Sequence, residues 1–360
     1  MAPIVIPSIE SLVPYEGGKP IEELARELGV TNAVKLASNE NPLGPSPLAI
    51  EAARAALGGS NRYPDGACYR LRERIAAFHG VGANEVLPGA GSNELLDLVV
   101  RTFATPEHHV VFGEPAFIVY RIASLAGGVP FTAVPLRDLV HDLPAMAAAV
   151  TPKTRVLFVA NPNNPTGTHV GRTAVERLLR EVPPEVIIVM DEAYFEYTEA
   201  PDFVSALELR ALRERLVVMR TFSKAYGLAA LRVGYAVAPP AIIDYMNRVR
   251  APFNVTSPGQ AGAMAALDDQ AHVEKSRLLN ASERTRVVSG LEKLGLTPAP
   301  SQASFVFVDV GRPARPVYDA LLRRGVIVRP FGNLPSGLRV TFGLPEENDR
   351  FLSALAEVLA

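Results

Sequence analysis

Four short groups of residues in this 360-residue chain combine side-chain types that chemistry uses and that folding alone rarely needs in one place. Asn161-Pro-Asn-Asn164-Pro-Thr-Gly167 crowds amides into a loop too rich in proline to continue a regular element. Asp191-Glu-Ala-Tyr194 follows the apolar run VIIVM, and Phe222-Ser223-Lys224 follows RLVVMRT, with Arg232 eight residues beyond the lysine. Upstream, Gly89-Ala-Gly91-Ser92-Asn93-Glu94-Leu95 opens a helix directly after an apolar segment. Each group alone has a structural reading. A Gly-Ser turn is usually an N-cap, an Asp at a strand end caps a turn, and a lone Lys is solvated.

Together the groups answer the needs of a single ligand. A helix N-terminus and a cation suit a phosphate, and Gly91, Ser92, Ser223 and Arg232 supply them. An ionised carboxylate beside a pyridine nitrogen keeps that nitrogen protonated, so the ring withdraws electrons; Asp191 suits this. Asn164 and Tyr194 are donors for a ring phenolate oxygen. Lys224 has the amine that forms an imine and then shuttles a proton at the substrate carbon. Phe117, in EPAFIVY, follows another strand and suits stacking on the ring face.

The elements that must position these groups are legible as apolar runs. HVVFG ending at Gly113, RVLFVA ending at Ala160, VIIVM, RLVVMRT and RVGYAVA are short, rich in Val and Ile, and lack polar alternation. Such runs fit strands covered on both faces, and helical stretches such as 172–180 lie between them, so the expectation is an α/β fold with a mostly parallel sheet flanked by helices. The chemistry-bearing groups fall just after the runs, where open parallel sheets bind ligands. Before this part, residues 1–34 contain Pro3, Pro7, Pro14 and Pro20 and a helical stretch over Ile21–Leu28, read as an arm and one helix. The pattern changes near 252–258. A helical stretch over 272–294, the run SFVFVDV, a helix over 317–323, the runs VIVRPF and GLRVTFG, and a helix opening at Pro345 follow. The expected organisation is a large domain over 35–250 and a smaller C-terminal α/β domain over 251–360.

Composition narrows the class. The net charge is −2, 48% of residues are apolar and 21% charged, with Lys and Arg scattered, which argues against nucleic acid or an anionic membrane surface as partner. Cys68 is the only cysteine, so no internal disulfide forms and a reducing compartment fits. The opening MAPIVIPSIE lacks a basic region followed by an unbroken apolar stretch, and no apolar run nears the roughly 20 residues that span a bilayer. The expectation is a cytoplasmic protein. His79, His108, His109, His141, His169 and His272 show no metal-ligand spacing, so no metal is expected.

Asn164-Pro-Thr-Gly167, Asp191-Glu-Ala-Tyr194 and Ser223-Lys224-Ala-Tyr-Gly-Leu…Leu231-Arg232 resemble the signature of the fold-type I pyridoxal-phosphate aminotransferases, and the likeness covers nearly the whole chain. Ser38-Asn-Glu-Asn-Pro-Leu-Gly-Pro-Ser46, Arg62-Tyr63-Pro-Asp65, Leu338-Arg339-Val-Thr-Phe-Gly and Pro345-Glu-Glu-Asn-Asp349 resemble, more narrowly, the histidinol-phosphate aminotransferases. The resemblance implies pyridoxal 5'-phosphate as cofactor, with Lys224 as the Schiff-base lysine and Asp191 on the pyridinium nitrogen. It places Asn164 and Tyr194 on the phenolate oxygen and Ala90, Gly91, Ser92, Ser223 and Arg232 on the phosphate. It implies a homodimer in which Tyr63 reaches that phosphate from the other subunit. Arg339 would bind the substrate's acidic group and Asn164 would touch substrate as well as cofactor, with Arg329 and Tyr15 near the substrate's far end. The implied reaction interconverts histidinol phosphate and 2-oxoglutarate with imidazole acetol phosphate and glutamate.

Two positions depart from the family pattern: Ala230 stands where glycine is common before Leu231-Arg232, and Phe117 where tyrosine is frequent. An aromatic amino-acid aminotransferase shares nearly every motif, and a phosphothreonine-type decarboxylase uses the same lysine. A non-enzymatic nucleotide-binding α/β module would leave Asn164, Asp191, Tyr194 and Lys224 unexplained together.

Overall fold

The apolar runs of the larger part pair into one seven-stranded sheet. The computed structural model describes residues 5, 7–10, 12–14, 17–30 and 32–360. Across the sheet the strands run Val86–Gly89, Gly234–Val237, Leu216–Thr221, Ile187–Asp191, Thr154–Ala160, His109–Glu114 and Phe131–Pro135. Gly234–Val237 is antiparallel to both neighbours and every other pairing is parallel. The two outermost strands were not among the runs read from sequence. Pro88 and Gly89 cut the first apolar run short, and Phe131–Pro135 is half exposed; both suit an edge, where a proline removes no needed ladder bond.

The register brings the site groups to one edge. Ala160 pairs with Asp191, Asp191 with Met219, and Thr221 with Gly234, which in turn pairs with Gly89. The ends of three parallel strands, and the turn into helix Ser92–Phe103, therefore share one rim. Helices cover both faces. Leu95, Leu96 and Val99 of that helix pack with Tyr120 and Phe158 on one side, and Val175, Leu178 and Leu179 of helix Arg172–Glu181 pack with Leu157 and Ile188 on the other. Burial on both faces accounts for the lack of polar alternation in these strands.

The second unit has a four-stranded antiparallel sheet, Arg329–Phe331, Leu334–Thr341, Phe305–Asp309 and Thr297–Pro298, backed by helices Ala314–Arg323 and Pro345–Leu359. The run VIVRPF divides. Val326–Ile327 pairs instead with Val34–Lys35, and Arg329–Phe331 joins the sheet with a register shift at Pro330. Helix Ile21–Leu28 contributes Leu24 to this second core. The expected boundary near 250 falls before helix Ser257–Asp268, whose Ala263, Ala266 and Leu267 pack with Phe222 and Tyr226 of the larger unit. The 24-residue helix Gln270–Lys293 then bridges the two cores, with Val273 in one and Val287 and Leu291 in the other. Among the described residues no helix is long and apolar enough to cross a membrane.

One close approach joins two of the sequence motifs. Gly227 closes the turn after Lys224, its N–H donating to the Lys224 carbonyl at 2.9 Å with φ +69°. A Cβ there would overlap the Gly44 carbonyl oxygen, so at this point the SKAYGL and SNENPLG segments meet backbone against backbone. Gly44 also has positive φ, +71°, but a Cβ on it meets nothing within 4 Å. Gly44→Ala should cost about 1 kcal/mol from backbone strain. Gly227→Ala should cost about 1–3 kcal/mol more, from overlap with unyielding backbone. Denaturant unfolding of the two variants checks this, and equal losses would contradict the close approach.

Candidate active site

At the shared rim, the three strand-end loops and the second unit enclose a cavity of about 200 Å3, whose walls include Lys224, Asp191, Tyr194, Asn164, Arg232 and Arg339. Phe117, Ser92 and Ser223 line it as well. Residues spread over more than two hundred positions of sequence thus meet in one place.

Asp191 is the last residue of its strand and only 4% exposed. Its Oδ2 accepts from the Tyr120 hydroxyl at 2.8 Å and its Oδ1 from the Ala193 amide at 3.3 Å. Burial pushes its pKa up from 3.8 to about 6, while the Tyr120 bond, the Ala193 amide and the Lys224 charge pull the other way. Tyr120 is held rigidly, stacked on Phe158 at 4.8 Å and edge-on to Phe117 at 6.0 Å. Lys224 is half buried; its Nζ donates to the Ser38 carbonyl at 3.2 Å and lies 5.6 Å from the Tyr194 ring centre. Burial, helped by the Arg339 and Arg232 charges, pushes its pKa down to about 8, so a usable fraction of the amine is neutral near physiological pH.

The opposite end of the cavity is built for an anion. Gly91, with φ +78°, precedes helix Ser92–Phe103, and a Cβ on it would sit 2.5 Å from Arg232 Nη2. Only glycine lets that guanidinium lie against the helix N-terminus. Arg232, itself at φ 55°, donates to the Ala229 carbonyl at 3.0 Å and reaches Ser223 Oγ at 3.5 Å. Ala90 behaves differently from its neighbours, because its amide donates to Glu94 Oε2 at 2.5 Å. Asn93 lines the cavity instead.

At the third corner, Arg339 Nη1 donates to Asn164 Oδ1 at 2.6 Å and Nη2 to the Ala37 carbonyl at 2.5 Å. Since arginine only donates, Asn164 Oδ1 is the acceptor end and its Nδ2 the donor end. Tyr194, buried edge-on to Phe305 at 5.1 Å, accepts at its hydroxyl from Asn39 Nδ2 at 2.8 Å.

Two sequence-derived candidates stand apart and one is outside the described residues. Tyr63 is 81% exposed and stacks on Phe253 at 4.7 Å, on the wall of a separate cleft that Arg232 also borders. Arg329 pairs across the ladder with Arg339 but lines a neighbouring cleft with Tyr318 and Phe331. Tyr15 is the candidate outside the described residues. Sequence reasoning missed Tyr120, Asn39 and Thr341. Tyr120 lies three residues after Phe117, and the spacing offers no sign that separates it from a core aromatic. Cys68 is buried and its thiol pushed up to about 11, and among the described residues no cluster of His, Cys, Asp and Glu is placed to hold a metal.

The sequence model for aminotransferase class I and II matches residues 31–355. The chain belongs to that family. Among aminotransferases, it is 54% identical to histidinol-phosphate aminotransferase 2 of Pseudomonas aeruginosa, over 98% of this chain and 97% of that one. It is 49% identical to histidinol-phosphate aminotransferase of Moorella thermoacetica, over 98% and 92%. The solved structure of histidinol-phosphate aminotransferase from Sinorhizobium meliloti in complex with pyridoxal-5'-phosphate superposes with a TM-score of 0.90, covering 99% of this chain and 97% of that one at 30% identity.

The donor set of this aminotransferase cavity fits pyridoxal phosphate. A buried carboxylate, a lysine amine whose pKa burial pushes down, an arginine at a helix N-terminus cradled by Gly91, and two amide or hydroxyl groups face one space. Asp191 also leaves a mark on stability. Between pH 3.8 and about 6 the folded polypeptide holds a proton there that the unfolded chain has released, so this group lowers stability as pH rises through that window. The total is roughly 3 kcal/mol. Asp191→Asn should remove that part of the slope, so the variant gains on wild type between about pH 4 and pH 6 in denaturant titrations of the polypeptide alone. A difference that stays constant across the window would contradict the assignment.

Proposed function

We propose that this aminotransferase exchanges the amino group between histidinol phosphate and 2-oxoglutarate, giving imidazole acetol phosphate and glutamate or running in reverse, in histidine biosynthesis. The observation that carries the reading is the meeting of the Lys224 amine, the Asp191 carboxylate and the Arg339 guanidinium in one cavity. The full-length relatives from Pseudomonas aeruginosa and Moorella thermoacetica, both named for this substrate, support the choice.

Bound in the cavity, pyridoxal phosphate supplies a protonated pyridine ring that withdraws electrons from the substrate carbon. Asp191 holds the proton on that ring nitrogen; once a cation faces it, the burial that raises its pKa is offset and the carboxylate stays charged. Lys224 carries the cofactor, and its amine, depressed to about 8, takes a proton from the substrate carbon and returns one in the other half of the exchange. Asn164 and Tyr194 donate to the phenolate oxygen. Gly91, Ser92, Ser223 and Arg232 hold the phosphate, with Ala90 beside them, and Phe117 packs on the ring face. Arg339 binds the carboxylate of glutamate in one half-reaction and the phosphate of the other substrate in the next, because its planar fork pairs with either anion. The family resemblance gives Arg329 and Tyr15 the substrate's far end. With one buried cysteine the chain suits a reducing compartment, and we place the enzyme in the cytoplasm.

Glutamate and histidinol phosphate should each rapidly bleach the visible absorbance of the loaded enzyme in stopped flow, with phenylalanine slow. Fast bleaching by phenylalanine with histidinol phosphate inert would reassign the substrate to an aromatic amino acid. Carbon dioxide release without any need for 2-oxoglutarate would reassign the reaction.

The exposed ring of Tyr63, beside the cleft that Arg232 borders, supports a homodimer in which each copy lends this tyrosine to the other's phosphate. Lys224→Ala and Tyr63→Ala should each be impaired alone. Mixed after unfolding and refolding together, they should regain up to roughly a quarter of wild-type activity, since half the dimers then hold one intact site. A mixture no better than the average of its two components would show that Tyr63 serves its own chain.

A further inference from the structure

Asn39 is 1% exposed, adopts φ 56°, and sits between the two units. Its backbone N–H donates to Thr341 Oγ1 at 2.9 Å, Thr341 Oγ1 contacts Asn39 Oδ1 at 3.1 Å, and Asn39 Nδ2 contacts the Tyr194 hydroxyl at 2.8 Å. One polarity of this chain of bonds leaves no group unmatched. A backbone N–H can only donate, so Thr341 Oγ1 accepts there and donates its single proton to Asn39 Oδ1. With the amide the other way round, Thr341 Oγ1 would take two donors and its buried proton would lose that acceptor, which assigns Oδ1 as the acceptor end of Asn39 and Nδ2 as the donor end. The Tyr194 oxygen therefore accepts from Asn39, and its own proton is directed elsewhere.

We propose that Asn39 is a positioning residue that, oriented by Thr341, commits the Tyr194 hydroxyl to donate into the cavity. The inference rests on the reading of that cavity as the pyridoxal-phosphate site, where Tyr194 meets the phenolate oxygen. It also explains the residue type. A left-handed backbone favours Asn and Asp among non-glycine residues, and aspartate would fit the space but accept from Tyr194 instead of donating to it. Thr341 lies two residues from Arg339 on one strand, so both point to the same face of the smaller sheet. The strand that carries the substrate-binding arginine thus also sets the direction of a donor on the cofactor.

The test reads the pH at which the visible band of the loaded enzyme changes, not its activity. A donor on the phenolate oxygen competes with the protonated Lys224 nitrogen for that oxygen, so losing the donor raises the midpoint. Tyr194→Phe should raise it by roughly 1–2 pH units. Thr341→Val, of equal size but without the hydroxyl, should raise it by less, and Thr341→Ser should leave it within about 0.2 units of wild type. In the Tyr194→Phe background Thr341→Val should add no further shift. Asn39→Asp gives a second reading: its charge raises the midpoint in both backgrounds, and the excess seen with Tyr194 present should vanish without it. Thr341→Val and Asn39→Asp shifts of the same size in both backgrounds, or none in either while Tyr194→Phe shifts the band, would overturn the inference and leave the cofactor assignment standing. A wild-type enzyme with no Lys224-dependent visible band would overturn both.

Discussion

Asp191 ends a central strand with water almost excluded, where an unpaired carboxylate carries a desolvation cost of several kcal/mol. Much of the larger unit is arranged around that cost. The Tyr120 hydroxyl is brought to Oδ2 by stacking on Phe158, and the Ala193 amide turns back to Oδ1. The next residue, Glu192, points to the other side and meets Arg220 at 2.9 Å, with Ser205 and the Ala206 amide completing its bonds. Arg220 in turn lies 3.5 Å over the Phe195 ring. Two adjacent acids are thus treated oppositely. Glu192 is fully paired inside the protein, whereas Asp191 is left short of a cation and Lys224 short of an anion. Burial moves both their pKa values towards neutrality, which is poor for stability and suits a site whose missing charges come from a ligand.

The second constraint is the direction of hydrogen bonds. Among the groups of ambiguous polarity on the cavity wall, the Asn164 amide and the Tyr194 hydroxyl are each tied on their other side to a donor. Arg339 does this for Asn164 and the Asn39 amide for Tyr194. Both ties come from outside the large sheet: Arg339 belongs to the smaller unit, and Asn39 is anchored on Thr341 of that unit. The large unit supplies reactive groups, and the small one sets how they point.

Much of this was legible in sequence because each motif follows an apolar run, and a parallel sheet collects the carboxyl ends of such runs on one rim. Lys224, Asp191, Asn164, Arg232 and Arg339 could be nominated from type and place alone or from resemblance, and they share the cavity. Three kinds of feature stayed hidden. Tyr120 looks like any core aromatic, since its role depends on a hydroxyl meeting Asp191 from another element. The split of VIVRPF and the outer strand Val86–Gly89 depend on long-range pairing, which no local pattern encodes. The packing of helix Ser257–Asp268 against Pro47–Leu57 depends on small residues such as Gly262 and Ala263, which read as weakly apolar in a linear scan.

The strand Val86–Gly89 has a single neighbour in its sheet, Gly234–Val237. On a ribosome, the glycine turn that cradles Arg232 is therefore made early and must wait, because the strand that anchors it and the arginine itself leave the tunnel only after the central strands. Order of synthesis thus opposes order of assembly. The nascent chain can stack its parallel strands as they emerge, whereas its anion-binding corner closes only once Arg232 and the strand Gly234–Val237 have followed them out.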